Sequence, residues 1–330
     1  MSIRESIAKR AARAIEERVF PGCVIGIVRP SGEREIFPIG HLTYERQMPA
    51  VTTDAMYDLA SITKSIPTAS LALNAVNEGN LRLESPIRTY VPELRNDYGA
   101  TIEDLLRYRV SGVQMSTLKR KKVDEIIAHI FETGFKGPPG ETLYTNLPAY
   151  LLGVILERIH KMKIDDLATE YFFMPLGMSR TYFIEPFPKN AAAPTEVDDE
   201  SEVRGAPHDE SARALAKLSV AAGHAGLFST APDILNFLEA LLASRFPHIA
   251  DGAEQGLGWQ VHQAYFMGSR SSPKTFGKTG FTGTSIVIDR EREIAFVILS
   301  NRTYPKRPPN DDAINEFRRD IADIVFESLQ

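Results

Sequence analysis

Three short polar strings stand in this order along the chain: Ser61-Ile62-Thr63-Lys64, Tyr144-Thr145-Asn146 and Lys278-Thr279-Gly280. A serine hydroxyl becomes a good nucleophile only when a neighbouring base takes its proton. Ser61 and Lys64 are three residues apart, so on a helix their side chains lie on one face within reach of each other. The first string therefore predicts nucleophilic catalysis with a covalent acyl intermediate on Ser61.

The lysines and the tyrosine of these strings could supply the proton transfers. A lysine acts as a base near neutral pH only if its pKa falls well below the usual value of about 10.4. Burial and a second cation both lower the pKa of a lysine, and Lys278 is the candidate for the cation beside Lys64. We expect the two ammonium groups to make the Tyr144 phenol lose its proton more easily than a free phenol. The set then offers a base for Ser61 and an acid for a leaving group.

The later strings select Ser61 among several serines with a lysine three residues on. Tyr144 is the only one of the 11 tyrosines with asparagine two residues on, and Lys278 opens the only K-T-G. Each string also has a structural explanation, as a helix cap, a core tyrosine or a plain strand. Gly280 and Gly283 favour function, since glycine weakens a strand unless a backbone or ligand approaches closely. Three other S-x-x-K matches compete with Ser61. They lie within a charged helix (Ser6/Lys9), before a basic run (Ser116/Lys119) and before a proline (Ser271/Lys274).

Composition excludes several functional classes. The net charge of −5 argues against a nucleic-acid binder or a binder of anionic membranes. Cys23 is the only cysteine, and the seven histidines show no ligand spacing such as H-E-x-x-H, so we expect no metal. Since no glycine-rich phosphate loop is present either, we expect no cofactor. The charged residues 1–20 resemble an amphipathic helix rather than a secretion signal, and no stretch is apolar enough to span a bilayer, which predicts a cytoplasmic protein.

The pattern of apolar residues places strands near both ends of the chain and helices between them. One antiparallel sheet, flanked by the N- and C-terminal helices and carrying an inserted all-helical domain, is the simplest layout, an α/β fold of the α+β type. The predicted domains are 1–60 with 250–330 for the sheet and 61–249 for the helical part, with the active site at their interface. We expect helices over 2–19, from Ser61 to Val76, 123–130, 148–159, 164–173, 231–242 and 311–329, strands over 22–29, 33–40, 257–261, 284–289 and 293–299, and a long loop over 186–212.

The order of the three strings resembles that of the class C β-lactamase-like serine hydrolases, a penicillin-binding-protein-like group that also holds D-Ala-D-Ala carboxypeptidases and family VIII carboxylesterases. The resemblance spans nearly the whole chain. Pro175-Leu176-Gly177-Met178 matches the P-L-G-M of the group, and residues 223–230 are similar to a segment common in its esterase-like and uncharacterised members. The resemblance implies the β-lactamase/transpeptidase-like fold.

The same resemblance implies a role for each matching residue. Ser61 would be the acylated nucleophile, Lys64 its proton acceptor, and Tyr144 the acid and base of acylation and deacylation. Lys278 would anchor this network or a substrate carboxylate. Asn146 would contact the acyl-side polar group of the substrate. Thr279 and Gly280 would also contact the substrate, and the backbone N–H groups of Ser61 and Phe281 would form the oxyanion hole.

The chain also departs from the pattern of the group. Arg109-Val110-Ser111-Gly112 stands where many relatives carry a His-Thr-Ser-Gly string, and the aromatic Phe281 directly follows the K-T-G. His208 and His224 lie in segments near the resemblance, and the sequence leaves their roles open between structure and function.

The sequence favours a serine hydrolase that cleaves carboxylic esters. A protein without an export signal does not meet peptidoglycan, and Phe281 suggests an apolar acyl pocket. Two alternatives stay open: a D-Ala-D-Ala carboxypeptidase or β-lactamase-type hydrolase, and a non-catalytic binding module on the same fold. We expect the binding partner to be a small ester or amide substrate. The sequence leaves the oligomeric state open.

Overall fold

The computed structural model describes residues 2–45, 48–118, 122–183, 191–198 and 201–329. Strands from both ends of the chain meet in one antiparallel sheet of six strands. The strands of the described residues, in chain order, are β1 (Gly22–Val28), β2 (Arg34–Gly40), β3 (Tyr57–Asp58), β4 (Glu196–Asp198), β5 (Ser201–Val203), β6 (Phe228–Ser229), β7 (Gln260–Val261), β8 (Phe276–Thr279), β9 (Ser285–Asp289) and β10 (Ile294–Ser300).

The large sheet has the order β2-β1-β10-β9-β8-β7, which confirms the predicted layout. The α-helices of the described residues are α1 (Ile3–Glu16), α2 (Ser70–Asn77), α3 (Ile102–Leu106), α4 (Val123–Thr133), α5 (Leu147–His160), α6 (Ile164–Ala168), α7 (Glu210–Ala216), α8 (Ala231–Leu242), α9 (Pro247–Glu254), α10 (Ala264–Met267) and α11 (Asp312–Glu327).

Both faces of the sheet are covered, which explains why every residue of β1 and β10 is buried. Side chains alternate between the two faces of a strand. In β1, Cys23 and Ile25 pack with α1 and α11, whereas Val24 belongs to the core on the α8 side. A Cβ added to Gly26 would lie 2.9 Å from Leu235 Cδ1 of α8, so glycine permits this close approach. The sheet is therefore a rigid layer between helices.

The helix expected to start at Ser61 is irregular. A 3₁₀ turn over Ala60–Lys64 is followed by a π turn, and Ile66 has non-helical angles of φ −112° and ψ 112°. Regular α-helix begins only at Ser70. The physical reason is Pro67, which lacks an N–H donor and whose ring clashes with the preceding turn. Ser61 and Lys64 thus face each other across a tight turn rather than along an α-helix.

The loop expected over residues 186–212 is not wholly irregular. In its described part, β4 and β5 pair antiparallel, with Glu196 opposite Val203, and α7 begins at Glu210. Residues 186–190, 199 and 200 lie outside the described residues. This segment passes close to the nucleophile, as shown below.

The helices of the middle of the chain do not all lie away from the sheet. Helix α8, within the predicted helical part, packs on β1 and β10. The boundaries at 60/61 and 249/250 stay a prediction. Over the described ranges, no helix has the length and apolar character required to cross a bilayer.

Candidate active site

The turn that carries Ser61 is held by the buried carboxylate of Asp58. Oδ1 of Asp58 accepts the backbone N–H of Ala60 at 2.8 Å, and Oδ2 accepts that of His208 at 2.6 Å. Ala60 has a φ of 48°, in the left-handed region that non-glycine residues seldom adopt. These bonds fix a strained backbone immediately before Ser61, so the hydroxyl is presented in one orientation.

Lys64 is placed to take the proton of Ser61. Its Nζ lies 2.9 Å from Ser61 Oγ and donates to the carbonyl of His224 at 2.7 Å. Burial lowers the pKa of Lys64 to about 7, although the charge of Asp209 opposes this shift. A large fraction of Lys64 is therefore neutral near pH 7, as a general base requires.

Tyr144 lies beside both lysines of the site. The Nζ atoms of Lys64 and Lys278 are 5.3 and 4.1 Å from the centre of its ring. Desolvation at the hydroxyl raises the pKa of Tyr144 above 10, and a hydrogen bond with Ser61 lowers it only in part. Nearly half of the Tyr144 side chain is exposed, so this desolvation belongs to the hydroxyl end rather than to the whole ring.

The expected lowering of the pKa of Tyr144 was therefore wrong. The two lysines are themselves buried, and burial lowers the pKa of both, so they carry less positive charge than exposed lysines would. Tyr144 keeps its proton near neutral pH and is suited to donate it.

The K-T-G string lies on β8, next to β7. Lys278 is buried, and burial, together with the charges of Lys64 and Arg318, lowers its pKa well below 10.5. Gln260 of β7 accepts three donors on Oε1: Lys278 Nζ at 3.4 Å, Thr279 N at 3.3 Å and Thr279 Oγ1 at 3.4 Å. The side-chain oxygen of Gln260 is thus a shared acceptor for the donors of the K-T-G string.

The turn after Thr279 is tied to the nucleophile turn. A Cβ on Gly280 would lie only 2.4 Å from the carbonyl oxygen of Leu59, so the close approach requires glycine. Thr282 Oγ1 donates to the carbonyl of Asp58 at 2.7 Å, and Thr284 Oγ1 donates to that of Leu59 at 3.1 Å. The segments that carry the first and third strings therefore form one connected unit.

Phe281 lies at the rim of this unit. Its ring is 43% exposed and stacks on His208 with 5.5 Å between the ring centres. Within the described ranges, the backbone N–H of Phe281 and that of Ser61 have no acceptor. Two unpaired donors on connected turns are the kind of groups that stabilise an oxyanion.

Asn146 is oriented by a carboxylate rather than by a helix cap. Its Nδ2 donates to Asp209 Oδ2 at 2.9 Å, and the side chain makes no cap bond at the start of α5. Burial alone would raise the pKa of Asp209, but hydrogen bonds from His224, Ser211 and the backbone of Ala212 hold it well below 3.8. Asp209 thus joins Asn146 to the residue whose carbonyl binds Lys64.

The two histidines left open by the sequence have buried contacts. His224 Nε2 lies 3.0 Å from Ser211 Oγ and 3.3 Å from Asp209 Oδ1. His208 Nε2 lies 3.4 Å from Glu196 Oε2, beneath the ring of Phe281. Both side chains support residues of the site from behind, and neither touches Ser61 in the described contacts.

Comparison with known proteins places this geometry in a family. The β-lactamase family model matches residues 7–319 of the chain. The chain belongs to the β-lactamase family. This confirms the resemblance found in the three strings and the β-lactamase/transpeptidase-like fold.

Proteins similar to this chain carry names of different activities. A putative D-alanyl-D-alanine carboxypeptidase of Escherichia coli K12 is 27% identical over 318 residues, which cover 78% of this chain and 73% of the relative. The structure of a D-amino acid amidase from Ochrobactrum anthropi SV3 has a TM-score of 0.78, 20% identity and 99% coverage of both chains. EstCE1, a hydrolase with promiscuous acyltransferase activity, has a TM-score of 0.76, 19% identity and coverage of 98% of this chain and 99% of its own. At these identities the two structures show a shared fold alone.

The string Arg109–Gly112 forms part of the wall of the site. Arg109 is partly exposed and lies 3.6 Å from Asp104, while Ser111 and Gly112 line a cavity of 350 Å³ together with Tyr144 and Asn146. A second cavity, of 580 Å³, lies between Tyr144 and β7. Tyr144 therefore borders two cavities, one beside Asn146 and one beside Lys278.

Sequence reasoning in terms of the family strings misses three positioning residues: Asp58, Asp209 and Gln260. Gln260 could have been found from strand pairing, because it lies opposite Gly277 in the β7–β8 register, next to the K-T-G. The contacts of Asp58 and Asp209 join segments about 150 and 60 residues apart. No local spacing indicates them.

Proposed function

We propose that this member of the β-lactamase family is a serine hydrolase that cleaves carboxylic esters through an acyl-enzyme on Ser61. The observation that carries the proposal is the 2.9 Å contact between Lys64 Nζ and Ser61 Oγ, together with the burial that brings the pKa of Lys64 to about 7. A neutral amine in contact with a serine hydroxyl is a nucleophile–base pair.

In the acylation step, Ser61 Oγ attacks the ester carbonyl carbon while its proton moves to Lys64 Nζ. The carbonyl oxygen becomes an oxyanion, which the N–H groups of Ser61 and Phe281 stabilise. The bond from carbon to the alcohol oxygen then breaks, and Tyr144 gives its proton to the departing alcohol. A proton from Lys64 returns Tyr144 to the phenol, so both groups are reset.

In the deacylation step, water attacks the acyl carbon and gives a proton to the same pair. The bond between the acyl carbon and Ser61 Oγ breaks, Ser61 takes back a proton, and the carboxylic acid leaves. One ester and one water yield one acid and one alcohol, with no net change in the enzyme. Lys64 and Tyr144 thus serve both steps.

Two features of the site support an ester rather than a substrate with a carboxylate. The exposed ring of Phe281 offers apolar area, worth about 25 cal/mol per Å² when buried. Lys278 has a pKa well below its usual value because it is buried, and the Gln260 carbonyl oxygen occupies the donors of Thr279. A carboxylate would therefore find little positive charge and few free donors on the K-T-G side.

The first alternative is a D-Ala-D-Ala carboxypeptidase or β-lactamase-type hydrolase, and the name of the E. coli relative supports the carboxypeptidase. It requires that a substrate carboxylate restore the charge of Lys278. The second alternative, a non-catalytic binding module, requires that the pair of Ser61 and Lys64 be idle despite its geometry.

The first experiment identifies the nucleophile. A fluorophosphonate should label the Ser61 peptide in mass spectrometry and leave Ser61→Ala unlabelled. Ser271→Ala, which alters another S-x-x-K match, is the matched control and should keep full labelling. A label elsewhere, with Ser61→Ala active, contradicts the proposal.

The second experiment decides between ester and carboxylate substrates. Short p-nitrophenyl esters should react with a much higher kcat/KM than nitrocefin or D-Ala-D-Ala peptides. Phe281→Ser should shift this ratio toward the carboxylate substrates by about tenfold, or ~1.4 kcal/mol. If the natural protein cleaves nitrocefin or the peptides better than every ester, the first alternative replaces the ester proposal.

A further inference from the structure

The donors of the K-T-G string converge on a side chain of the protein itself. Lys278 Nζ, Thr279 N and Thr279 Oγ1 lie 3.4, 3.3 and 3.4 Å from Gln260 Oε1. An N–H donor usually lies about 2.9–3.0 Å from its acceptor oxygen, so these contacts are long. A carboxylate oxygen would draw charged or amide donors to about 2.7–2.9 Å. The K-T-G donors are thus shared by one neutral and weak acceptor.

The orientation of the Gln260 amide follows from its partners. The backbone N–H of Thr279 can only donate, so the oxygen of the amide has to face it. The amide nitrogen, Nε2, donates to the hydroxyl of Tyr265 at 2.7 Å. The backbone of Gln260 is paired with Gly277 across β7 and β8. The side chain is therefore held at both ends of its amide and at its backbone.

Lys278 meets a neutral acceptor where a carboxylate would fit. Among the hydrogen bonds of the described residues, the one acceptor of its amine is Gln260, and the charges of Lys64 and Arg318 that act on it are both positive. A carboxylate at the position of the amide oxygen would favour the charged form of Lys278 and form an ion pair with it. The surroundings of Lys278 therefore suit a negative charge, and Gln260 supplies none.

These donors lie on the side of the alcohol part of an ester. Gln260, Lys278 and Tyr144 line the 580 Å³ cavity, whereas Asn146 lines the 350 Å³ cavity. Lys278 Nζ is 4.1 Å from the ring centre of Tyr144, which gives its proton to the departing alcohol in the proposed mechanism. A carboxylate on the alcohol part would therefore come to the K-T-G donors once Gln260 left them.

We propose that Gln260 determines which alcohols the enzyme accepts: its amide oxygen occupies the place of a substrate carboxylate on the K-T-G donors, so the enzyme selects esters of neutral alcohols. The inference rests on the proposed function. In the natural protein an acidic substrate has to displace the amide and break its bond with Tyr265. Loss of the side chain frees Lys278 Nζ and both donors of Thr279 at once. A gain of activity on acidic substrates is the mark of such a residue, because loss of a purely structural residue would impair all substrates alike.

The kinetic test compares two substrates that differ in charge and little in shape. 3-(Butyryloxy)benzoate and 3-(butyryloxy)benzamide form the same butyryl-enzyme, so the ratio of their kcat/KM values reports on the alcohol side. In Gln260→Ala the ratio of acid to amide should rise at least about tenfold, as for a hydrogen bond to a charged group. In Gln260→Glu it should fall, because a fixed carboxylate pairs with Lys278 and repels the acid.

Two further variants separate this role from a general disturbance of the cavity. Tyr265→Phe removes the acceptor of Gln260 Nε2 and leaves Gln260 in place, so the ratio should rise about threefold as the amide is held less firmly. Gln263→Ala is the matched control. Gln263 is an exposed glutamine that lines the same cavity, and its Nε2 donates to the carbonyl of Val261 at 3.1 Å. This variant should keep the ratio of the natural protein.

A binding test needs no turnover. By calorimetric titration of Ser61→Ala, adding Gln260→Ala should lower the Kd of 3-(butyryloxy)benzoate about tenfold and change that of the benzamide little. An unchanged ratio in a folded Gln260→Ala that still hydrolyses the benzamide, or an equal rise in Gln263→Ala, overturns the role of Gln260 and leaves the proposed function standing. If Gln260→Ala does not fold, Tyr265→Phe decides in the same way. Absence of Ser61 labelling and of all ester hydrolysis overturns the proposed function, and the titration then judges Gln260 separately.

Discussion

Lys64 is the side chain on which the proposed chemistry depends most directly. Its amine is held between Ser61 Oγ and the His224 carbonyl, with 1% of the residue exposed. Burial disfavours the charged form, so the same contact that positions the amine also makes it a base. Tyr144 is affected in the opposite sense, because for a phenol the charged form is the deprotonated one. Desolvation of the Lys64 amine and of the Tyr144 hydroxyl thus produces a base and an acid side by side.

These two pKa shifts predict a pH profile with a single limb. Because the base must be neutral, kcat/KM for a phenyl ester should rise about tenfold per pH unit below about 7 and level off above it. Since the pKa of Tyr144 lies above 10, no second limb should appear before about pH 10. Initial rates with buffers of constant ionic strength measure the profile.

Two controls belong to this profile. Circular dichroism over the same pH range separates loss of activity from loss of fold. Lys64→Arg keeps a cation that does not deprotonate, so it should be inactive at every pH. A bell-shaped curve centred near neutral pH would instead support the lowered pKa first expected for Tyr144, and a flat curve would exclude Lys64 as the base.

At the scale of elements, Asp58 joins the three segments that build the site. Its carboxylate binds the nucleophile turn and the segment of His208, and its carbonyl binds the turn after the K-T-G. The next residue after His208 is Asp209, which orients Asn146. A single buried aspartate at the end of β3 therefore sets the relative positions of all three strings.

Asp58→Asn should impair catalysis beyond its effect on stability. Asparagine has one acceptor oxygen for two backbone donors, and its NH₂ group would face one of them. We expect a loss of about 1–3 kcal/mol in unfolding free energy and a 10- to 100-fold lower kcat as the nucleophile turn shifts. The rate of fluorophosphonate labelling of the folded fraction measures the shift without turnover.

The matched control for this variant is Asp289→Asn. Asp289 is equally buried and accepts hydrogen bonds from Ser272, Thr275 and the backbone of Arg292, away from Ser61. It should lose stability and keep its labelling rate. If both variants label at the rate of the natural protein, Asp58 has no positioning role.

The elements themselves could largely be predicted from the sequence, because their signals are local. The β-branched run of β1 and the apolar periodicity of α5 and α8 are visible in single segments. The turn at Ser61 could not be predicted from the sequence, because its 3₁₀ and π geometry depends on how the surrounding core accommodates Pro67. Ser61, Lys64 and Lys278 could be proposed from motif order, whereas the pKa of Tyr144 depends on burial that no motif encodes.

At the scale of the whole molecule, the site is supported from behind by the last helix. Arg318 of α11 is buried, and its Nη2 donates to the carbonyls of Gly280 and Thr284 at 2.8 and 2.7 Å. These two residues flank the turn with Phe281. The sheet formed by both chain ends therefore places the C-terminal helix directly against the proposed oxyanion turn. The predicted layout has this helix beside the sheet and does not include its contact with the turn.

Arg318→Met should therefore lower both stability and activity, although Arg318 lies on the far side of the turn from the substrate. The carbonyls of Gly280 and Thr284 lose their charged donor and keep one backbone donor each, at a cost of about 1–3 kcal/mol each. The turn that carries the Phe281 N–H is then held less firmly, so kcat should fall about tenfold. Arg10→Met is the matched control: Arg10 is mostly buried and binds Asp320 at 2.8 Å. Asp320 lies two residues after Arg318 and therefore on the opposite face of α11. Chemical denaturation and ester kinetics on the folded fraction should show a stability loss in both variants and a loss of kcat only in Arg318→Met. Equal kcat values in the two variants would show that α11 supports the fold without positioning the oxyanion turn.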